Sequence, residues 1–112
     1  MPFIHTMTNL PIPEETEKRL KAAYGEAAAL IGKSENWLML RFEDSCRLWM
    51  AGSGDPAAMV QVDLYGKAAP EAYEAMTARL TAVLEKELGL APGRVYVRYA
   101  QTPYWGWDGG NF

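Results

Sequence analysis

The chain has one cysteine, Cys46, and one histidine, His5, among its 112 residues. A single thiol cannot close an intrachain disulfide, and Cys46 with His5 offers no spacing that holds a metal ion, so neither a disulfide scaffold nor a metal centre is expected. Charge of one sign is also scarce. The 11 Lys and Arg are interspersed with 14 Asp and Glu for a formal charge of −3, and no basic stripe invites nucleic acid. No apolar run approaches the roughly 18 residues of a membrane span, and the opening lacks the basic start and unbroken apolar core of a signal peptide. A cytoplasmic protein in a reducing compartment, with no nucleic-acid or membrane partner and no cofactor, is the expectation.

At this length the chain is one domain, residues 1–112, too short for two independent cores. Phe3 to Thr8 has the composition of a short strand, closed by Asn9-Leu10-Pro11. Pro13 then opens a helix whose first turn holds Glu14, Glu15 and Glu17, with apolar positions at Leu20, Tyr24, Ala27, Leu30 and Ile31 and a stop at Gly32. The run Trp37 to Phe42 predicts a second strand. Glu43-Asp44-Ser45 predicts a turn, and Arg47 to Ala51 a hairpin partner.

The same plan then repeats. A strand over 58–65 ends at Gly66, and Pro70-Glu71 opens a helix lined by Tyr73, Met76, Leu80, Leu84 and Leu88. Gly89 stops it, and 94–101 reads as the closing strand. Two strand–helix–strand units in tandem, with right-handed crossovers, give an α/β (α+β) domain: a four-stranded mixed sheet with two helices on one face. Trp37 and Met39 alternate with Leu38 and Leu40, and Leu48 and Met50 with Trp49, so strands are apolar on both sides. Such strands are normally covered twice, and two helices cover one side, so a homo-oligomer is expected.

Pro2 stands directly before the first strand. If the initiator methionine is removed, Pro2 carries a free secondary amine, and an α-amino group that ordinarily titrates near 8 becomes neutral at cell pH when buried. Strand parity sorts the other candidates: Val95, Val97 and Tyr99 face the helices, which leaves Tyr96 and Arg98 on the opposite side with Met59, Gln61, Asp63 and Tyr65.

Met1-Pro2-Phe3-Ile4 with Thr8-Asn9-Leu10-Pro11, then Gly32-Lys33, Asp55-Pro56, Tyr65-Gly66, Arg94-Val95-Tyr96 and the ending Gly106-Trp107-Asp108-Gly109-Gly110-Asn111-Phe112, together resemble the macrophage migration inhibitory factor and D-dopachrome tautomerase family. The resemblance runs through nearly the whole chain in one register, with a short length change near Tyr104.

That resemblance implies a barrel-like homotrimer with tautomerase pockets between subunits. It implies Pro2 as the general acid–base that moves a proton between carbon and oxygen of a small α-keto or enol acid such as phenylpyruvate. Lys33 would hold the carboxylate and Tyr96 from the adjacent subunit would hydrogen-bond the substrate; Arg98, by the bidentate chemistry of its own guanidinium, would join Lys33 on the carboxylate. Tyr65 would line the pocket, with Trp105, Trp107 and Phe112 near its mouth. Each has a plainer alternative: Lys33 suits a helix C-terminus, Tyr96 and Tyr65 can be packing residues, and Trp107 and Phe112 can dock a tail.

The departures from the vertebrate members are specific. Arg98 replaces an asparagine and Trp105 a valine, which predicts a more cationic and narrower rim. Ala57 and Val60 stand where those proteins have a Cys-x-x-Cys pair, so thiol–disulfide activity is not expected, and Cys46 reads as a packing thiol. The alternative function is a non-catalytic, cytokine-like interaction protein on the same scaffold, exported by a route that needs no signal peptide. A retained Met1 would favour it, because Pro2 would then be an amide.

Overall fold

A computed structural model describes residues 1–112. Strand β1 covers Pro2–Thr8 and helix α1 Glu14–Ala27, which continues through a 3-10 turn to Ile31. Strand β2 is Met39–Glu43, β3 is Ala58–Tyr65, α2 is Pro70–Leu88 and β4 is Val95–Thr102. The tail carries two short strands, β5 Gly106–Trp107 and β6 Gly110–Asn111.

Local chemistry explains the boundaries. Proline precedes α1 and begins α2, where a missing N–H leaves nothing unsatisfied, and acidic residues occupy both first turns. Both helical segments stop on a glycine in the left-handed region, Gly32 at φ 71° and Gly89 at φ 69°, a conformation that costs other residues strain.

The main sheet has the order β2-β1-β3-β4. β1 and β2 are parallel, as are β3 and β4, and the two halves meet antiparallel between β1 and β3. Each strand–helix–strand unit therefore supplies half of a four-stranded mixed sheet. Alternate residues of β1 and β3 are buried on the helix side, among them Ile4, Val60, Val62 and Leu64. They meet Leu20 and Tyr24 of α1 and Met76, Leu80 and Leu84 of α2, all fully buried. Inside this core the hydroxyls of Thr6 and Tyr24 lie 2.8 Å apart, which satisfies two buried polar groups. Burial pushes the Tyr24 phenol well above its ordinary range, against a smaller lowering by the Thr6 hydrogen bond.

The other face has no cover within the chain. It presents Phe3, His5 and Met7 of β1, Met39 and Arg41 of β2, Met59, Gln61 and Asp63 of β3, and Tyr96 and Arg98 of β4.

Two expectations are corrected. The second strand begins at Met39, because Ser34 accepts the Asn36 N–H at 3.1 Å and caps a 3-10 turn that takes up Trp37. Arg47 to Ala51 forms no hairpin strand. Ser45 and Ala51 adopt positive φ, 54° and 51°, and break the extended run at both ends. The Ser45 and Cys46 N–H groups bond instead to Leu10 O and Thr8 O at 2.9 Å, so the chain turns alongside the end of β1.

The resulting loop is held by side chains. Arg94 donates to the carbonyls of Met50, Ser53, Asp55 and Pro56 at 2.7–3.2 Å. Asn9 donates to Gly54 O and Asp55 O and accepts from the Ala57 N–H.

Candidate functional site

Pro2 is buried at the first position of β1, where a residue without an N–H leaves no ladder bond unmade, and it stands in register with Leu64. The next residue of β3, Tyr65, organises the chain start through its main chain. Its N–H donates to the Met1 carbonyl at 3.0 Å, and its own carbonyl accepts from Lys33 Nζ at 2.8 Å. Gly32 makes this possible by turning the chain out of α1, which sets Lys33 against the end of β3.

The Met1 amine is held below the ordinary α-amino range, first by burial and second by the Lys33 charge. Both act through the position: apolar surroundings penalise the ammonium form, and a neighbouring cation repels it.

An aromatic wall borders this corner. Tyr65 and Phe112 have ring centroids 5.5 Å apart, Phe112 stacks on Trp107 at 6.3 Å, and Trp107 meets Trp37 edge-on at 4.9 Å. The β5–β6 hairpin delivers Trp107. Asp108 and Gly109 both take positive φ, as a two-residue hairpin turn requires. The Phe112 N–H then donates to Trp105 O at 3.1 Å, so Trp105 enters the arrangement through its main chain. Trp37, Trp107 and Phe112 remain 43%, 55% and 52% exposed, which leaves the wall open to a ligand.

Of the residues singled out in the sequence, Pro2, Lys33, Tyr65, Trp105, Trp107 and Phe112 therefore come together at one end of the sheet. Tyr96 and Arg98 do not. Tyr96 pairs with Met59, five positions of β3 from Leu64, or about 17 Å along the strand. There it lines a groove of about 220 Å³ with Trp49, Met50 and Met59. Arg98 lies between the two ends, opposite Gln61.

Trp37 is the residue that sequence reasoning missed. Its spacing of four from Lys33, directly after a helix-ending glycine, was the available signal. Cys46 is half-buried, with Sγ 3.4 Å from Glu43 O, and burial followed by the Glu43 charge raises its pKa, which suits a packing role. No three His, Cys, Asp or Glu side chains converge as a metal site would need. No helix is long and apolar enough to cross a membrane.

The profile of the family described as macrophage migration inhibitory factor (MIF) matches residues 1–112. A bovine (Bos taurus) protein named D-dopachrome decarboxylase is 32% identical over 109 residues, which cover 94% of this chain and 90% of that protein. Among solved structures, Leishmania major MIF2 superposes with a TM-score of 0.94 at 37% identity, covering 100% of this chain and 97% of that one. The Toxoplasma gondii macrophage migration inhibitory factor shares the fold at 20% identity, with a TM-score of 0.92 over 98% of this chain and 99% of that one.

Proposed function

Because the chain belongs to the macrophage migration inhibitory factor family, we propose that, once Met1 is removed, it is a cofactor-free keto–enol tautomerase of phenylpyruvate-like α-keto acids. The observation that carries this reading is the double role of Tyr65, whose main chain binds the Met1 carbonyl on one side and Lys33 on the other.

Removing Met1 changes that corner in two ways. Pro2 gains an imino nitrogen with a lone pair, in a buried position beside the Lys33 charge, so the causes that lower the Met1 amine act on it as well. The Tyr65 N–H, which donated to the Met1 carbonyl oxygen at 3.0 Å, loses its acceptor beside the Pro2 nitrogen. A substrate oxygen placed there replaces the lost carbonyl.

The reaction follows from these groups. The substrate carboxylate sits against Lys33 and the Tyr65 N–H, with its aryl ring on the wall of Trp37, Trp107 and Phe112. The neutral Pro2 nitrogen takes the proton from C3 of the keto form as the C2 oxygen becomes an enolate, and the oxygen is then protonated to give the enol. Ketonisation runs the same steps backwards. One proton leaves carbon and one joins oxygen, so the change is an isomerisation and needs no oxidant. Lys33 and a tyrosine hydroxyl stabilise the charge that develops on oxygen.

That hydroxyl is assigned to Tyr96 of a neighbouring copy. One end of the sheet carries Pro2 and the aromatic wall, and the other carries Tyr96 and the apolar groove with Met59 and Trp49. Head-to-tail association joins the two, and a homotrimer closes the ring. It also covers the sheet face that this chain leaves bare. Arg98 enters the pocket from the same neighbour, and Trp105 narrows its rim.

Protein verified by mass to lack Met1 should ketonise enol-phenylpyruvate, followed by loss of the enol absorbance. Pro2→Gly should lower turnover by about 10²–10⁴-fold, the usual worth of one positioned acid–base group. No turnover by the processed protein, or full turnover by the variant, would sink the assignment.

The second reading is a cytokine-like interaction protein on the same scaffold. A chain that keeps Met1 joins Pro2 in an amide and has no free imino nitrogen. An intact mass that includes Met1 in protein from its native source would support it.

A further inference from the structure

Resting on the tautomerase reading, we propose that Arg98 holds a second acidic group of the substrate, so that the preferred substrate is an α-keto acid with two carboxylates. The uncovered sheet face carries one polar row at a single level across all four strands: Arg41 on β2, His5 on β1, Gln61 on β3 and Arg98 on β4. Half of this row is satisfied within the chain. Glu43 Oε1 lies 2.8 Å from His5 Nε2 and 3.7 Å from Arg41.

Arg98 has no such partner. It stands exposed opposite the neutral Gln61, and its guanidinium takes part in none of the chain's ion pairs or side-chain hydrogen bonds. Asp63, the other carboxylate on this face, is one level further along, opposite Ala100, and makes no ion pair with it. When a second copy covers the face, a guanidinium without an anion becomes unfavourable, because its hydration is lost and nothing replaces it.

Two relationships assign the missing anion to the substrate. Tyr96 lies two residues before Arg98 on the same face, about 7 Å away, so a neighbour that delivers the tyrosine hydroxyl delivers the guanidinium with it. The substrate's first carboxylate is already served from the other wall by Lys33 and the Tyr65 N–H of the Pro2-bearing copy. Two cations on opposite subunits suit two anions at opposite ends of one molecule. A guanidinium fork binds a carboxylate through two parallel hydrogen bonds, which makes the second contact selective for a carboxylate over a neutral group.

The test compares enol-phenylpyruvate with its 4-carboxy analogue, which has the same skeleton and one more carboxylate, on protein verified to lack Met1. The wild type should favour the 4-carboxy compound in kcat/KM by about 10- to 100-fold, the range of one hydrogen-bonded charge pair. Arg98→Gln should bring the ratio of the two kcat/KM values close to one, while Arg98→Lys, which keeps a point charge without the fork, should retain part of it. Equal use of both acids by the wild type, or an unchanged ratio in Arg98→Gln, overturns the assignment of Arg98 and leaves the tautomerase reading standing. Failure of both acids to turn over removes both readings.

Discussion

Lys33 Nζ donates to the main-chain carbonyl of Tyr65 at 2.8 Å, and this one bond fixes a cation beside the chain start. The carbonyl lies at the end of β3, so the position of Lys33 depends on sheet register as well as on the Gly32 turn. A lysine held in this way acts on whichever amine begins the chain.

Lys33→Met should therefore have two effects on the processed enzyme. Turnover should fall, by about 10- to 100-fold for loss of one charge-assisted contact. The acid limb of the pH–rate profile should also move to higher pH. Lys33 lowers the pKa of the Met1 amine as the second cause after burial; on the processed chain the same charge faces the Pro2 nitrogen, so its removal should raise that pKa toward the ordinary value, and the neutral base should be reached only at higher pH. A pH–rate profile that stays in place would contradict the electrostatic role.

Assembly should be visible as mass. Sedimentation should find a particle of three chains of 12.5 kDa each. Met39, 66% exposed on the edge strand β2, is where a charge should block association, so Met39→Asp should give monomers that have also lost turnover. Full activity in a monomer would show that Tyr96 of a second copy is not needed.

The Thr6–Tyr24 hydrogen bond has its own signature. Tyr24→Phe leaves the buried Thr6 hydroxyl without its partner and should cost about 1–3 kcal/mol in urea unfolding. The folded-state pKa of Tyr24 is raised, so above about pH 10 the unfolded chain gives up this proton while the folded chain keeps it. Wild-type stability should decline in that range, and the decline should be shallower in Tyr24→Phe.

Arg94 ties four carbonyls of the loop between Met50 and Pro56. Arg94→Ala should leave them unpaired at the protein's edge, speed proteolytic cleavage within the loop and lower stability by about 1.5–3 kcal/mol, the worth of a hydrogen bond to a charged group. Because this loop shapes the groove beside Tyr96, the variant should also weaken assembly. Cleavage and sedimentation at wild-type values would show that the clasp is dispensable.

The sequence by itself determined the tandem strand–helix–strand plan, the two glycine stops and the parity that puts Tyr96 and Arg98 on the face away from the helices. Those features are local: apolar spacing, proline at a helix start and left-handed glycine are properties of neighbouring residues. Only the tertiary structure decided that Arg47 to Ala51 is a clasped loop, since the breaks at Ser45 and Ala51 occur in residues with no strong preference for positive φ. Only the structure measured how far Tyr96 stands from Pro2 along the sheet, since that separation follows from strand register. It also put Tyr65 at the centre through its main-chain N–H and carbonyl, groups that every residue but proline carries alike. Long-range register assigned them their partners, and register comes from the packing of the whole sheet against two helices.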